Sequence, residues 1–334
     1  MKWPTTRVKT SEGLVDAVAP AIVSASRSTD IPAFYAEWFM NRLYAGYSKW
    51  VNPFNQKPQY VSFERTKVVV FWSKNPAPLI AHLDEIDRRR IGYYFQFTVN
   101  DYEKEKLEPG LPPLDQRIQK FLDLSKRIGP ERVIWRFDPL ILVNDLTVNE
   151  LLSRIRVVGD RIAGNTSKLV FSFADIEAYR KVKGNLTRTG HSFREFSDEE
   201  MEEAAAGIAE LCRGWQIDAA TCAEKVDLEE HGITHNKCVD DELILKITNN
   251  DPDLLRLLGR SEAVQGSLLD GAGTPSKNIK DKGQRDECGC VISKDIGQYN
   301  TCRHLCVYCY ANTSAAAVRR AVEKADPQGE SILG

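Results

Sequence analysis

The chain has 334 residues, with 45 basic and 47 acidic side chains and a formal net charge of -2. Nothing in that balance draws the protein to phosphate backbones or anionic lipid, and the basic run 88–90 follows a helical pattern that favours a solvated helix end over a nucleic-acid contact. The first twenty residues contain no apolar run long enough for a signal peptide and no later segment could span a bilayer, so we expect a cytoplasmic protein without a membrane partner.

Six short strand-like runs alternate with helical patterns between about residues 20 and 222. The runs are apolar, β-branched and aromatic, which suits strands covered on both faces, and the intervening helices would supply parallel crossovers. The predicted strands are 21–23, 68–72, 93–99, 133–137, 169–173 and 216–220, and the predicted helices are 32–45, 78–90, 115–128, 146–163 and 198–213. This alternation predicts an α/β fold, a partial (β/α) barrel of about six parallel strands.

The alternation is interrupted once and then stops. Segment 51–63 indicates a small β-excursion between the first helix and the second strand. We therefore predict a barrel-like domain over 1–222 and a Cys-rich C-terminal segment over 223–334, with a surface loop or linker around 271–285 and a helix near 314–323.

Polar residues follow several predicted strands, where parallel β/α folds build their active sites. Asp and Asn in such places also cap helices or satisfy turns, so the alternative interpretation is structural. Arg136 is different because it lies inside an apolar strand, and a buried arginine needs an anionic partner such as Asp138 or a ligand carboxylate. We take as candidate catalytic residues Lys74, Arg136 and Asp138, and as candidate cofactor contacts Arg27, Asp30 and Asn75.

Three cysteines near the C-terminus, Cys302, Cys306 and Cys309, have the spacing C-x3-C-x2-C. This spacing can present three thiolates to one face of a cubane iron–sulfur cluster and leave its fourth iron free of protein ligands. The alternative is three reduced structural thiols. His304, inside the motif, is predicted to be a neighbour of the ligands and not a ligand itself.

Five further cysteines complete the set of eight, and clustered cysteines in a reducing compartment are more typical of metal ligands than of disulfides. Four of them could form a closed second site for zinc or another cluster: Cys222, Cys238, Cys288 and Cys290. Scattered thiols, or a zinc site that uses a histidine, are the alternatives. Cys212 lies in a helical pattern and is assigned to the core.

The run 299–312, which contains the three-cysteine motif and an aromatic residue before the last cysteine, resembles the cluster-binding loop of radical S-adenosylmethionine enzymes. The resemblance implies a [4Fe–4S] cluster held by the three cysteines and an S-adenosylmethionine chelated to the open iron. One-electron reduction, from a donor such as a flavodoxin or ferredoxin, would then give a 5′-deoxyadenosyl radical. By the same resemblance, Tyr308 would lie near the adenine.

The chain as a whole resembles a bacterial family called domain of unknown function 1848, in segments 24–32, 71–76, 135–139 and 288–297. That family implies no substrate. Radical enzymes place the cysteine loop after the first barrel strand, whereas here it comes last, and a circular permutation would reconcile the two orders. No Gly-Gly-Glu segment follows a second strand to bind the methionine amino group.

The leading interpretation is therefore a radical S-adenosylmethionine-type enzyme built on a partial or permuted barrel, acting on an unknown small-molecule or macromolecular substrate. Two other classes remain open from the sequence. One is a non-catalytic iron–sulfur protein for electron transfer or redox sensing, and the other is a zinc-dependent hydrolase or lyase.

Overall fold

The structure is a computed structural model that describes residues 3–260 and 279–334. Most of the loop predicted at 271–285 lies outside the described residues. The fold is mixed α/β and is organised around one large parallel sheet.

Fourteen strands and eleven helices are found in these two ranges. The strands are β1 (Thr5–Thr10), β2 (Gly13–Val18), β3 (Ile22–Ala25), β4 (Tyr47–Val51), β5 (Pro58–Ser62), β6 (Val68–Ser73), β7 (Gly92–Thr98), β8 (Val133–Leu140), β9 (Leu142–Val143), β10 (Lys168–Phe173), β11 (Phe193–Arg194), β12 (Asp218–Thr221), β13 (Thr234–His235) and β14 (Lys294–Asp295). The helices are α1 (Ile31–Phe34), α2 (Ala36–Ala45), α3 (Ala77–Ile80), α4 (Leu83–Arg88), α5 (Leu114–Ile128), α6 (Val148–Ile162), α7 (Arg180–Arg188), α8 (Asp198–Trp215), α9 (Asp241–Ile247), α10 (Pro252–Leu257) and α11 (Ala315–Val322).

The large sheet has eight strands in the order β13-β12-β10-β8-β7-β6-β3-β14, and all neighbours are parallel. The six longer strands are the six that the sequence predicts. β13 and β14 were not predicted, since each has two polar residues and no apolar run. Within the described residues these two outer strands each pair on one side only, so the sheet is open and is not a closed barrel.

The two faces of the sheet bury different sets of side chains, because neighbouring residues of a strand point to opposite faces. Val69 and Phe71 of β6 join the core that is shared with helices α1 to α8. Val68 and Val70 join a second core, which also contains side chains of the neighbouring strands, of α9 and α10, and three cysteines of the C-terminal segment. The Cys-rich segment therefore packs on this face of the sheet.

β14 lies at the edge of the sheet, parallel to β3, with Lys294 opposite Val23 and Asp295 opposite Ser24. The chain leaves β14, forms the three-cysteine loop at 302–309, and continues into α11. In space, the order is therefore a strand, the cysteine loop, a helix, and then the neighbouring strand β3.

Two smaller sheets complete the strands. One has the order β1-β2-β5-β4, and its antiparallel β4–β5 pair is the excursion predicted at 51–63. The other pairs β9 with β11.

The predicted helices are all present, but 32–45 and 78–90 are each split into two. The first split occurs at Tyr35, whose backbone is not helical and whose hydroxyl donates to the Thr301 carbonyl at 2.7 Å. Within the described residues, none of the helices combines the length and apolar character that crossing a bilayer requires.

Candidate metal centre

The cysteine loop, residues 302–309, is shaped by its own backbone. The Cys309 amide donates to the Cys306 carbonyl at 3.1 Å, and the Asn312 side chain donates to the Cys302 carbonyl at 2.8 Å. Leu305 has a left-handed φ of 55°, which lets the chain turn between the first two cysteines. These contacts bend the loop so that all three cysteines belong to one turn of chain.

The segment between β7 and α5 supports the loop from one side. The Val307 amide donates to the Leu107 carbonyl at 2.8 Å, and the Gly110 amide donates to the His304 carbonyl at 2.9 Å. A methyl group on Gly110 would lie 2.4 Å from the Arg303 carbonyl oxygen, closer than any real contact. Only glycine can bring this segment so close to the loop.

His304 is fully engaged by the protein. Its Nε2 lies 2.8 Å from Asp30 Oδ2, its Nδ1 lies 3.5 Å from the Gly110 carbonyl oxygen, and its ring packs on Phe34. Both ring nitrogens therefore have partners within the protein, and the role of His304 as a neighbour of the ligands stays a prediction.

Asp30, a predicted cofactor contact, caps α1 and joins three parts of the site. Its carboxylate accepts from the Ala33 amide at 2.9 Å, the Ser73 hydroxyl at 2.8 Å and the Lys74 amide at 2.7 Å, besides its contact with His304. Both carboxylate oxygens are thus occupied by protein groups. In this structure Asp30 ties the cysteine loop to β6.

The three sulfurs of the loop influence one another. Burial raises the pKa of Cys302 to about 12, and the charges of Asp30 and Cys309 act in the same direction. Burial also raises the pKa of Cys306 well above its usual range, against the effect of Lys74 and together with Glu108 and the other two thiols. Thiols held in this way bind a metal by releasing protons.

A buried polar cluster lies beside the loop and consists of Lys74, Asn100, Glu108 and Tyr308; we call it the Glu108 cluster. Lys74 Nζ donates to Glu108 Oε1 at 2.7 Å and to the Tyr308 hydroxyl at 3.0 Å, and the Tyr308 hydroxyl donates to Glu108. Asn100 donates to both Glu108 Oε1 at 3.2 Å and the Tyr308 hydroxyl at 3.0 Å. Despite its burial, Glu108 has a lowered pKa because the cations of Lys74 and Arg117 favour its carboxylate.

Glu108 is the residue of this site that the sequence prediction missed. It stands in an irregular loop, Glu108-Pro109-Gly110, which no periodic pattern marks. The only signal is an acidic residue among prolines and glycine shortly after a strand end.

Arg136 and Asp138, predicted as catalytic, form an ion pair with 2.7 Å between Nη2 and Oδ2. The anionic partner that a buried Arg136 requires is therefore Asp138, one of the two predicted possibilities. Asp138 also accepts from Ser172, and its pKa is lowered because the cation of Arg136 outweighs the effect of burial. Its backbone exchanges hydrogen bonds with Asn100 at 2.9 and 3.1 Å, which connects this pair to the Glu108 cluster.

Cys222, Cys238, Cys288 and Cys290, here called the four-cysteine group, come together on the sheet face that is opposite α1 to α8. The sulfurs of Cys222 and Cys238 lie 3.5 Å apart. A hydrogen bond from Cys290 lowers the pKa of Cys288, and Cys290 in turn interacts with Cys238. The four side chains form one continuous chain of sulfur contacts.

Arginines flank the four-cysteine group. Arg136 Nη1 donates to the Cys238 sulfur at 3.0 Å. Arg27 stacks on Trp72, with 4.8 Å between its guanidinium carbon and the ring centroid, and the charges of Cys290, Asp295 and Cys238 raise its pKa against the effect of burial. The Arg27 side chain thus faces the four-cysteine group, while its carbonyl accepts from Tyr310 beside the cysteine loop at 2.9 Å.

Asn75, the remaining predicted contact, is half-buried, and its backbone amide donates to the Ser73 hydroxyl at 3.0 Å. Its side-chain amide has no hydrogen-bond partner within the described ranges.

A family model described as domain of unknown function (DUF1848) matches residues 22–311. The chain belongs to this family. The DUF1848 match begins at the first residue of β3 and ends two residues after Cys309, so it includes both groups of cysteines. No curated protein matches the chain.

One solved structure, described as an alpha-L-fucosidase from Bacteroides thetaiotaomicron, aligns with 57% of this DUF1848 chain and 84% of its own chain, at 11% identity and a TM-score of 0.26. A TM-score this low carries no argument about fold or activity.

One other group of three potential metal ligands in the DUF1848 chain is more compact than any three of its cysteine sulfurs in the described residues. Among the described residues, the ligand atoms of Glu202, Glu230 and His231 lie within 4.8 Å of one another, whereas no three cysteine sulfurs do. His231 shares a hydrogen bond of 2.7 Å with Glu202, which is partly buried, and Glu230 is exposed. We interpret this group as a hydrogen-bonded contact near the protein surface.

A cavity of about 280 Å³ adjoins the Glu108 cluster and is lined by Tyr102, Glu108 and Arg117 among others. A second cavity of about 240 Å³ lies beside α9 and is lined by Gln96, Lys168 and Asp240 among others. The first is near enough to the cysteine loop to share a residue with the site.

Proposed function

We propose that this DUF1848 protein is a cytoplasmic iron–sulfur enzyme of the radical S-adenosylmethionine type, in which Cys302, Cys306 and Cys309 hold a [4Fe–4S] cluster. The observation that carries the proposal is the place of the cysteine loop, which follows β14 and precedes α11, with β14 parallel and adjacent to β3. This is the spatial order expected for a barrel whose first strand and cluster loop have been moved to the C-terminal end of the chain.

The donor set of the loop fits a cubane cluster better than a single ion. All three candidate ligands are free thiols, and no three cysteine sulfurs of the described chain approach within 4.8 Å. A cubane attaches each cysteine to a different iron and so needs sulfurs that are spread around a larger body. Asn312 Oδ1, at the end of the loop, is buried without a hydrogen-bond partner in the described residues.

A bound cluster would pass one electron, received from a flavodoxin or ferredoxin, to the sulfonium of S-adenosylmethionine, so that a carbon–sulfur bond breaks to give methionine and a 5′-deoxyadenosyl radical. The residues of this chain would hold and orient the cluster and S-adenosylmethionine. The Glu108 cluster fixes Tyr308, whose ring would lie beside the adenine. Lys74 places one positive charge beside Cys306, which favours a thiolate there.

The segment after β3 would receive the methionine end of the cofactor, because β3 is the second strand of the permuted order. It reads Ser26-Arg27-Ser28-Thr29 and lacks the Gly-Gly-Glu pattern. Thr29 Oγ1 is buried here without a partner among the described residues, which makes it available to a ligand.

Turnover of S-adenosylmethionine tests the proposal. Anaerobic reconstitution with iron and sulfide, followed by dithionite reduction, should convert S-adenosylmethionine to 5′-deoxyadenosine and methionine, measured by chromatography. The Cys306→Ala variant should make none. The matched control is Cys212→Ala, which changes a core cysteine outside both groups and should keep the activity. Absence of product from wild-type protein with a fully assembled cluster would reject the proposal.

A further inference from the structure

We infer that the four-cysteine group is a second metal site, and that it binds a closed, polynuclear iron–sulfur centre and not a single zinc ion. The inference does not depend on the radical chemistry proposed for the cysteine loop. It rests on the placement of four sulfurs and of the groups that donate to them.

The four cysteines are brought together by distant parts of the chain. Cys222 follows β12, Cys238 precedes α9, and Cys288 and Cys290 come from the irregular segment that precedes β14. Cys238, Cys288 and Cys290 are 4%, 7% and 1% exposed, and they belong to the core on that face. Four thiols that meet in a buried place from three separate segments are typical of a ligand set.

Several N–H groups donate hydrogen bonds to the sulfurs of the four-cysteine group. Such an environment suits thiolates, which accept hydrogen bonds and have no proton to donate. The Cys238 sulfur accepts from Arg136 at 3.0 Å and from the Asn236 amide group at 3.3 Å, and the Cys290 sulfur accepts from the Val239 backbone amide at 3.3 Å. Hydrogen bonds of this kind to cysteine sulfur are among the factors that set the potential of an iron–sulfur cluster.

Two arginine side chains place positive charge beside the four-cysteine group. Arg136 and Arg27 both face the group, and Arg27 Nη2 is buried without a hydrogen-bond partner in the part of the chain that the structure describes. A buried guanidinium with an unused donor indicates that an anionic body belongs beside it, since leaving such a group unpaired is costly. The thiolate ligands and sulfides of a bound cluster would meet this requirement.

The distances between sulfurs also separate the two kinds of centre. A tetrahedral zinc ion with bonds of about 2.3 Å holds all its sulfurs at about 3.8 Å from one another. Here Cys222 and Cys238 are 3.5 Å apart, but no three cysteine sulfurs of the described chain lie within 4.8 Å. The sulfurs therefore follow one another in a row, Cys222, Cys238, Cys290 and Cys288, instead of surrounding one point, and such a row suits ligands of more than one iron.

This assignment changes the role of Arg136. Because it donates to the Cys238 sulfur and pairs with Asp138, Arg136 has no free donor face for a substrate. Asp138 in turn contacts Asn100 of the Glu108 cluster, so one hydrogen-bonded path joins the two cysteine groups. We assign Arg136 as a positioning residue of the second centre.

The test measures metal binding by the four-cysteine group in a protein whose cysteine loop can no longer bind a cluster. A triple variant, Cys302→Ala with Cys306→Ala and Cys309→Ala, is reconstituted without oxygen, and its iron, acid-labile sulfide and zinc are measured per chain. We expect iron and sulfide in similar amounts, both lost when Cys238→Ala is added and both kept when the control change Cys212→Ala is added instead. Zinc without sulfide, or no bound metal, would overturn the inference.

The iron content of the wild-type protein tests the second centre without any substitution. A single cubane accounts for about four irons per chain, so a larger content after complete reconstitution supports the second centre and four or fewer contradicts it. A failure of S-adenosylmethionine cleavage would affect only the proposed function, because the triple variant is tested by its metal content alone.

Discussion

Glu108 is a buried acidic residue beside the cysteine loop. The residue is 8% exposed, and its carboxylate accepts hydrogen bonds from Lys74, Asn100 and Tyr308. Lys74 is itself enclosed, with a side-chain exposure of 16%. Removing one charge of a buried pair leaves the other uncompensated, which costs more than the pair contributes as a whole.

The Glu108→Gln substitution should therefore destabilise the protein. We expect the free energy of unfolding to fall by about 3 kcal/mol, because Lys74 loses its buried counter-charge. The measurement is denaturant unfolding of the cluster-free protein, which separates this effect from metal binding.

Glu103→Gln is the matched control. Glu103 lies 3.6 Å from Arg117, as Glu108 lies 3.8 Å from the same guanidinium, but its side chain is 51% exposed. Its change should cost less than about 1 kcal/mol. Equal losses for the two variants would show that Glu108 does not hold a buried charge pair.

Gly110→Ala tests the close approach to the cysteine loop. The new methyl group would press on the backbone at Arg303 and His304, so we expect a loss of about 1–3 kcal/mol and weaker retention of iron by the loop. Gly214→Ala is the control, since a methyl group there meets nothing within 4 Å. Unchanged iron retention in Gly110→Ala would contradict the tight contact.

The residues of the site differ in how far the sequence reveals them. The close spacing of three cysteines identifies the cysteine loop, because few features other than a metal site require three thiols so near one another. The partner of Arg136 was predictable because a charge in an apolar strand demands one nearby. Glu108 and Gly110 were not, since their importance comes from a contact with residues about two hundred positions away.

At the scale of elements, the length of a strand decides whether it can be predicted from the sequence. The six strands with continuous apolar runs were predicted within a few residues, because burial on both faces requires such runs. β13 and β14 have two polar residues each and become strands only through pairing with β12 and β3. β14 was therefore invisible to a hydrophobic pattern, although it places the cysteine loop.

The C-terminal tail beyond α11 acts as a clasp on the first helices and the small sheet. Trp38 donates to the Gly329 carbonyl at 3.0 Å, Arg42 donates to the Gln328 carbonyl at 3.0 Å, and the Lys49 amide donates to the Glu330 carbonyl at 2.7 Å. Ile332, which follows, is 1% exposed. These contacts hold the end of the chain against residues near its start.

Deleting residues 327–334 should lower the free energy of unfolding by about 3–5 kcal/mol, because several hydrogen bonds and a buried isoleucine are lost together. Thermal or denaturant unfolding measures it. Deleting only 333–334 leaves those contacts in place and should change stability by about 0.5 kcal/mol or less. A full deletion as mild as the short one would show that the clasp does not contribute.

At the scale of the whole molecule, the open parallel sheet separates two cores. One face carries the helices that make the larger core, and the other carries the C-terminal segment with its four cysteines. The cysteine loop lies where β14 ends, and the path through Asn100 and Asp138 reaches the four-cysteine group. The α/β class followed from the sequence, whereas the filling of the second face depends on contacts that no local pattern records.

The central claim is that the cysteine loop holds a cluster with an iron open to S-adenosylmethionine. Electron paramagnetic resonance of the reduced, reconstituted wild-type protein tests it directly when spectra are recorded with and without S-adenosylmethionine. We predict a signal with one component that changes shape when S-adenosylmethionine is added, and we predict that this component is absent from the Cys306→Ala variant. Spectra in which no component responds to S-adenosylmethionine, or in which the responding component survives in that variant, would contradict the proposed cluster.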